Sequence, residues 1–176
     1  MAIEKVPGKN EILFVWFNRY AGITIKTPSK TIVVDPVDVK AKNLQKADAV
    51  LITHEHYDHL DPSLIAEVHR LSQCMVIADP TSAKRLRNTI PLEKLHEVQP
   101  GVEVKVGDVS VKAEKCNHPP ASTPVSYIIT SEDGVKVFHT ADSLPFPEMA
   151  AIGERENWTW YSAPLGLLLV LRLKQA

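Results

Sequence analysis

An α/β fold is predicted by three observations: β-prone runs open the chain, strand and helix patterns alternate through its middle, and two hairpin signals follow before a last helical stretch. At 176 residues, 44% hydrophobic and 23% charged, the chain is long enough for one domain with a substantial core and has ordinary globular composition.

The elements follow in order. Residues 12–17, 22–26 and 31–35 are β-prone, and the turn-forming Asn18-Arg19-Tyr20 and Pro28-Ser29-Lys30 between them predict an antiparallel meander. Residues 50–53 are a short unbroken apolar run, the pattern of a strand buried on both faces, and a polar run starts at its C-terminal end. Asp61 supplies an N-cap, Pro62 a first-turn proline, and Leu64, Ile65, Val68 and Leu71 recur at helical spacing, so a helix comes next. Residues 75–78 resume a strand, and Asp79-Pro80 opens a second short helix on which Lys84-Arg85-Leu86-Arg87 reads as a solvated face. Residues 102–106 and 109–113 alternate about Gly107-Asp108, and residues 125–130 and 135–139 flank Glu132-Asp133-Gly134, giving two successive hairpins. Residues 147–155 form a helix opened by proline.

Composition narrows the function classes. A net charge of −1 gives no general attraction to polyanions, so no nucleic-acid partner is expected. The cysteines, Cys74 and Cys116, are too few for a disulfide framework and read as buried reduced thiols within strand-like runs. The N-terminal residues lack an apolar segment of signal-peptide length, and the longest apolar run, 165–171, is far shorter than a membrane span. The expectation is a cytoplasmic chain without a membrane partner. His69 and His96 have no ligand-type neighbours and read as surface or structural histidines.

The densest chemistry lies in His54-Glu55-His56-Tyr57-Asp58-His59, which packs four metal-ligand side chains into six positions. Groups crowded in this way repel and desolvate one another unless a cation gathers them. His54 and His56, two apart, point to one side of an extended segment, with Asp58 and His59 further along, so one run can feed two metals. The strong candidates for further ligands are His118 and Asp142, each just beyond a predicted strand. His118 would complete a three-histidine site with His54 and His56, while Asp142 would bridge to a second cation held by Asp58 and His59. The plain alternatives are a capped loop histidine at 118, a helix-capping aspartate at 142 and an ordinary Asp-Pro turn at Asp35. His139 reads as a strand residue, and Tyr57 as either a packing residue or a hydrogen-bond donor to substrate.

With these residues in place, His54-x-His56-x-Asp58-His59 resembles the signature of the metallo-β-lactamase superfamily. The chain over roughly positions 10–156 is similar to its compact metal-dependent hydrolase branch, which includes ascorbate-6-phosphate-lactonase-like proteins. The resemblance implies an αβ/βα sandwich of two mixed sheets with helices outside and metals at one edge. It matches Asp35 to a carboxylate that supports the ligand loop from behind, and His118 and Asp142 to single-ligand motifs. Such proteins normally supply one more histidine near the C-terminus, yet none follows His139 here. After Asn157 the composition shifts to Trp158-Thr159-Trp160-Tyr161 and a leucine-rich run with no acidic residue. The expectation is one domain over 1–176 with an atypical tail at 157–176, the frame truncated or altered after about residue 156 and the second site short of a ligand.

The functional expectation is a metal-dependent hydrolase in which one or two divalent cations, zinc first and manganese or iron next, convert water into hydroxide for attack on a small ester, lactone or phosphoester. Asp58 is the residue assigned to the chemistry itself, and the partner is a small-molecule substrate, with a homo-oligomer as a further expectation. The alternative is a metal-binding protein with little or no turnover because the last ligand and C-terminal part are missing. A superfamily nuclease is a third reading, opposed by the balanced charge.

Overall fold

The computed structural model describes residues 4–156 and 168–171. The first sheet runs β1 (Leu13–Trp16), β2 (Ile23–Lys26), β3 (Thr31–Val34), β4 (Ala49–Ile52), β5 (Met75–Ala78) and β6 (Leu95–Glu97) in that spatial order. β1, β2 and β3 pair antiparallel as the meander predicts, and β3, β4, β5 and β6 then pair parallel. The parallel crossovers carry α1 (Pro62–Ser72) and α2 (Pro80–Leu86). The second sheet has the order β11 (Leu168–Leu171), β10 (Lys136–His139), β9 (Val125–Thr130), β8 (Val109–Lys115) and β7 (Glu103–Val106), and its described pairings are all antiparallel.

Strand alternation divides the apolar residues between two layers. Ile23, Ile25, Ile32, Val34, Ala49, Leu51 and Ile77 of the first sheet face Val109, Val111, Ala113, Val125, Tyr127, Ile129 and Val137 of the second in one buried cluster between the sheets. Their neighbours Val33, Val50, Ile52, Val76 and Ala78 point the other way and pack against Ile65 and Val68 of α1 and Ala83 and Leu86 of α2. On the outer face of the second sheet, Ile128 and Phe138 meet Ile152 of α3 (Glu148–Arg155). The layers are therefore helix, sheet, sheet, helix, the sandwich that the resemblance implies, with one correction: the first sheet is mixed, whereas the described strands of the second pair only antiparallel. β4, packed between two parallel neighbours and between core and helices, is buried at every residue, which explains its unbroken apolar run.

The first two helix starts read from the sequence are capped as their residues require. Asp61 accepts from the backbone N–H groups of Ser63 and Leu64 at the start of α1, and Asp79 from those of Thr81 and Ser82 at the start of α2. α1 ends on Gln73 in the left-handed region at φ 56, its N–H returning to the His69 carbonyl. His69 is buried, and its Nδ1 lies 2.8 Å from the Cys74 carbonyl, a structural role as expected. Both cysteines are free and buried, but Cys74 precedes β5 and Cys116 follows β8, so neither lies within a strand. Short elements escape the sequence patterns: the 3-10 turns Ala41–Leu44 and Leu92–Lys94, and β6 with its three residues. Of the expected tail at 157–176, only β11 lies within the described residues, where it pairs with β10.

Tyr127 links the two sheets. It is fully buried, and its hydroxyl donates to the Ile52 carbonyl at 2.7 Å, at the end of the strand that leads into the histidine run. Burial of the phenol pushes its pKa well above the ordinary value, so it stays a neutral donor. Tyr127→Phe removes that buried hydrogen bond and is expected to cost about 1–3 kcal/mol in urea unfolding with an unchanged m value.

Candidate metal centre

Strand directions bring the candidate ligands to one end of the sandwich. β3 and β4 are parallel, so Asp35 and the run 54–59 emerge at the same edge of the first sheet. β8 and β10 both run antiparallel to β9, so His118 and Asp142, in the loops that follow them, emerge together from the second. The Val125 N–H donates to the Thr53 carbonyl at 2.9 Å and joins the two edges there.

Two donor sets converge. One atom each from His54, His56 and His118 lie within 4.8 Å of one another, as do single atoms of His54, His59 and Asp142, so His54 belongs to both sets. Nε2 of His54 stands 3.1 Å from Nδ1 of His56, and Nε2 of His118 stands 3.3 Å from that same Nδ1. Nε2 of His59 lies 3.2 Å from Oδ2 of Asp142. Asp58 belongs to neither set: it is half-buried beside them, with Oδ1 4.0 Å from Nε2 of His59. Tyr57 is 83% exposed and packs against little, which removes the packing role considered for it.

Asp35 organises this arrangement from behind. It is fully buried, in the left-handed region at φ 48, a conformation that aspartate adopts more readily than most residues. Its Oδ1 accepts from the Thr53 N–H at 2.8 Å, and its Oδ2 from the Thr53 hydroxyl at 2.7 Å and from Nδ1 of His59 at 2.8 Å. A carboxylate only accepts, so the Thr53 hydroxyl spends its proton on Asp35 and must receive one from Nδ1 of His54, 3.0 Å away. The network thus assigns His54 and His59 the tautomer with Nδ1–H behind, leaving Nε2 of His54 bare and directed into the cluster.

The electrostatics agree with a cation site. Burial, with the neighbouring His59 in addition, pushes the His54 pKa down to about 4, so that ring is a neutral donor. Burial would also lower His59, but hydrogen bonds to Asp142 and Asp35 outweigh it and raise the ring to about 10. The same His59 hydrogen bond holds Asp142 at about 2. Without a metal ion, a proton on Nε2 of His59 occupies the place where positive charge is wanted. Imidazole nitrogens crowded beside a carboxylate make a donor set that fits a divalent transition-metal ion.

Neighbouring loops hold the ligands. Ala141, at φ 54, turns the chain just before Asp142, and its N–H donates to Nδ1 of His139 at 3.3 Å. His139 is buried in its strand, with Nε2 3.3 Å from the Ala21 carbonyl. The Asn117 N–H donates to the Ser143 hydroxyl and the Leu144 N–H to the Asn117 carbonyl, so the His118 and Asp142 loops brace one another. Arg85 corrects the expectation of a purely solvated helix face: its Nη1 donates to the Glu55 carbonyl at 2.8 Å, inside the ligand run. Thr53, Glu55, Arg85 and Ser122 are the neighbours that sequence reasoning missed: Thr53 and Glu55 adjoin the ligands in the chain but show their partners only in the fold, and Arg85 and Ser122 reach the run only through it.

The four-layer sandwich and its histidine–carboxylate edge define a protein of metallo-β-lactamase-like architecture. The chain belongs to the β-lactamase superfamily: the family described as "Beta-lactamase superfamily domain" matches residues 21–159. A UPF0173 protein of Pyrococcus abyssi is 34% identical over 134 residues, covering 76% of this chain and 61% of the relative. A protein of Polaromonas named UPF0173 metal-dependent hydrolase is 31% identical over 195 residues, covering 93% of this chain and 69% of the relative. The chain thus spans 61% of the length of the archaeal relative. Among solved structures, Igni18, a metallo hydrolase of Ignicoccus hospitalis, superposes with a TM-score of 0.65 at 21% identity, covering 82% of this chain and 66% of that one. CmlA, a diiron β-hydroxylase of Streptomyces venezuelae, also gives 0.65, at 19% identity, covering 84% of this chain and 33% of that one. These last two likenesses concern the fold. Among the described residues, no helix is long and apolar enough to cross a membrane.

Proposed function

We propose that this protein is a metal-dependent hydrolase acting on a small ester, lactone or phosphoester. The observation that carries the reading is the convergence of His54, His56, His59, His118 and Asp142 from two sheets onto one edge, with His54 shared by both donor sets. Relatives named metal-dependent hydrolases support it. Bound at these donors, a divalent cation supplies Lewis acidity toward water and toward a carbonyl or phosphoryl oxygen.

The chain's own residues do the rest. His54, His56 and His118 form the three-histidine set, and His59 and Asp142 share His54 in the second. Asp35 and Thr53 keep the bare nitrogen of His54 facing inward, so no tautomer change is needed when substrate arrives. Asp58, half-buried with Oδ1 4.0 Å from Nε2 of His59, would take the proton from the attacking water. Zinc is the first cation to test, with manganese and iron next, because a mixed set of histidine and carboxylate donors suits all three. A small lactone is the first substrate to test, on analogy with the lactonase-like branch.

Elemental analysis of protein purified without added metal, followed by assays on lactones, esters and phosphodiesters with and without chelator, tests the reading. Cation in the protein together with chelator-sensitive turnover supports it. One tightly bound cation without hydrolysis of any panel member points instead to a metal-binding protein. Chelation is also expected to lower Tm by roughly 10 °C, the loss of about 4 kcal/mol of linkage for a site once filled to about a thousand times its Kd.

A further inference from the structure

We infer that Glu55 and Ser122 form a latch that fixes His118 against His54 and His56, making Glu55 a positioning residue of the three-histidine set. The inference rests on the cation reading above and deepens it. Glu55 lies between two of the ligands, yet belongs to neither donor set. It is buried, unusual for a glutamate in a loop. Its Oε1 accepts twice from one residue of the His118 loop: from the Ser122 N–H at 2.8 Å and from the Ser122 hydroxyl at 2.7 Å. Oε2 is buried without a hydrogen-bond partner, so the geometry satisfies the carboxylate on the side facing Ser122 alone.

The two halves of the latch share a mount. Arg85 of α2 holds the Glu55 carbonyl, and Asp79, the cap of that helix, accepts from the Thr123 hydroxyl at 2.6 Å. Thr81 adds a hydrogen bond from its N–H to the Thr123 hydroxyl at 3.1 Å. One short helix thus grips the residue that makes the latch and the neighbour of the residue that receives it. His118 sits within the turn that the latch closes, the Ala121 N–H donating to its carbonyl at 3.0 Å. Its ring comes from the second sheet and those of His54 and His56 from the first, so the spacing between these nitrogens depends on how firmly the two loops are joined.

The experiment titrates the full chain with Co2+ alone, reading the intensity of its visible bands and its stoichiometry, and follows hydrogen exchange at the Ser122 amide. Glu55→Ala is expected to weaken Co2+ binding by about 10- to 100-fold, as when a residue supporting a ligand is removed, and to reduce band intensity. It should also speed exchange at Ser122. Glu55→Gln keeps an amide oxygen for Ser122 and is expected to bind within a few-fold of the parent; a loss as large as that of Glu55→Ala would assign the effect to charge and overturn the latch. Parent-like Co2+ binding by Glu55→Ala also overturns it. If that variant does not fold, Ser122→Ala carries the test by removing the hydroxyl donor and leaving the N–H: Co2+ binding weakened several-fold with faster exchange at residue 122 supports the latch, and parent-like binding and exchange together overturn it. Failure of the parent to bind Co2+ removes the cation reading, and the Ser122 exchange rates then still decide whether Glu55 holds the loop.

Discussion

His54→Ala is expected to abolish tight cation binding altogether, dropping affinity at both donor sets by well over about 100-fold, the upper range for loss of a supporting residue. The reason is its double membership: His54 is the one side chain common to the His56–His118 set and the His59–Asp142 set. His118→Ala and Asp142→Ala each touch one set only, so each should retain cation at the other and fall short of the His54 effect. Elemental analysis of the three purified variants, with circular dichroism to verify folding, checks this order. Equal cation content in His54→Ala and His118→Ala would show that the two sets do not share a ligand.

Asp35→Ala is expected to cause the largest loss of stability, about 3–5 kcal/mol in urea unfolding, the usual cost of breaking a buried charged cluster by removing one partner. Three donors face the deleted carboxylate: the Thr53 N–H, the Thr53 hydroxyl and Nδ1 of His59. All three are buried, so solvent does not replace the lost acceptor cheaply. Asp35→Asn keeps one acceptor oxygen and should fall between the parent and Asp35→Ala. Its effect on metal content should exceed its effect on stability, because a Thr53 hydroxyl freed from Asp35 can turn its proton toward Nδ1 of His54 and reverse that ring's tautomer.

Much of the site was legible because its signal is local. His54, His56, Asp58 and His59 are recognisable from density in six positions, and His118 and Asp142 from standing just past strand patterns. Asp58 reads as a ligand from its place in the run, and its Oδ1 stands 4.0 Å from Nε2 of His59, beside the two sets and in neither of them. Thr53, Glu55, Arg85 and Ser122 carry no such mark. A threonine ending a strand or an arginine on a short helix has many uses, and these partners lie 18 to 67 residues apart in sequence. The fold was legible where alternation or caps repeat, as at Ile23 and Ile25 or Asp61-Pro62. It was not legible at β6, whose three residues are too short for a period and whose pairing depends on a neighbour already in place.

The histidines of residues 54–59 hang from one sheet, while His118 and Asp142 hang from the other. An ion held among them would act as a rivet through two plates, unable to seat until the plates are stacked and resisting any slip between them. Ion uptake during refolding should then lag behind backbone pairing and coincide with burial of Tyr127, whose hydroxyl crosses the same seam.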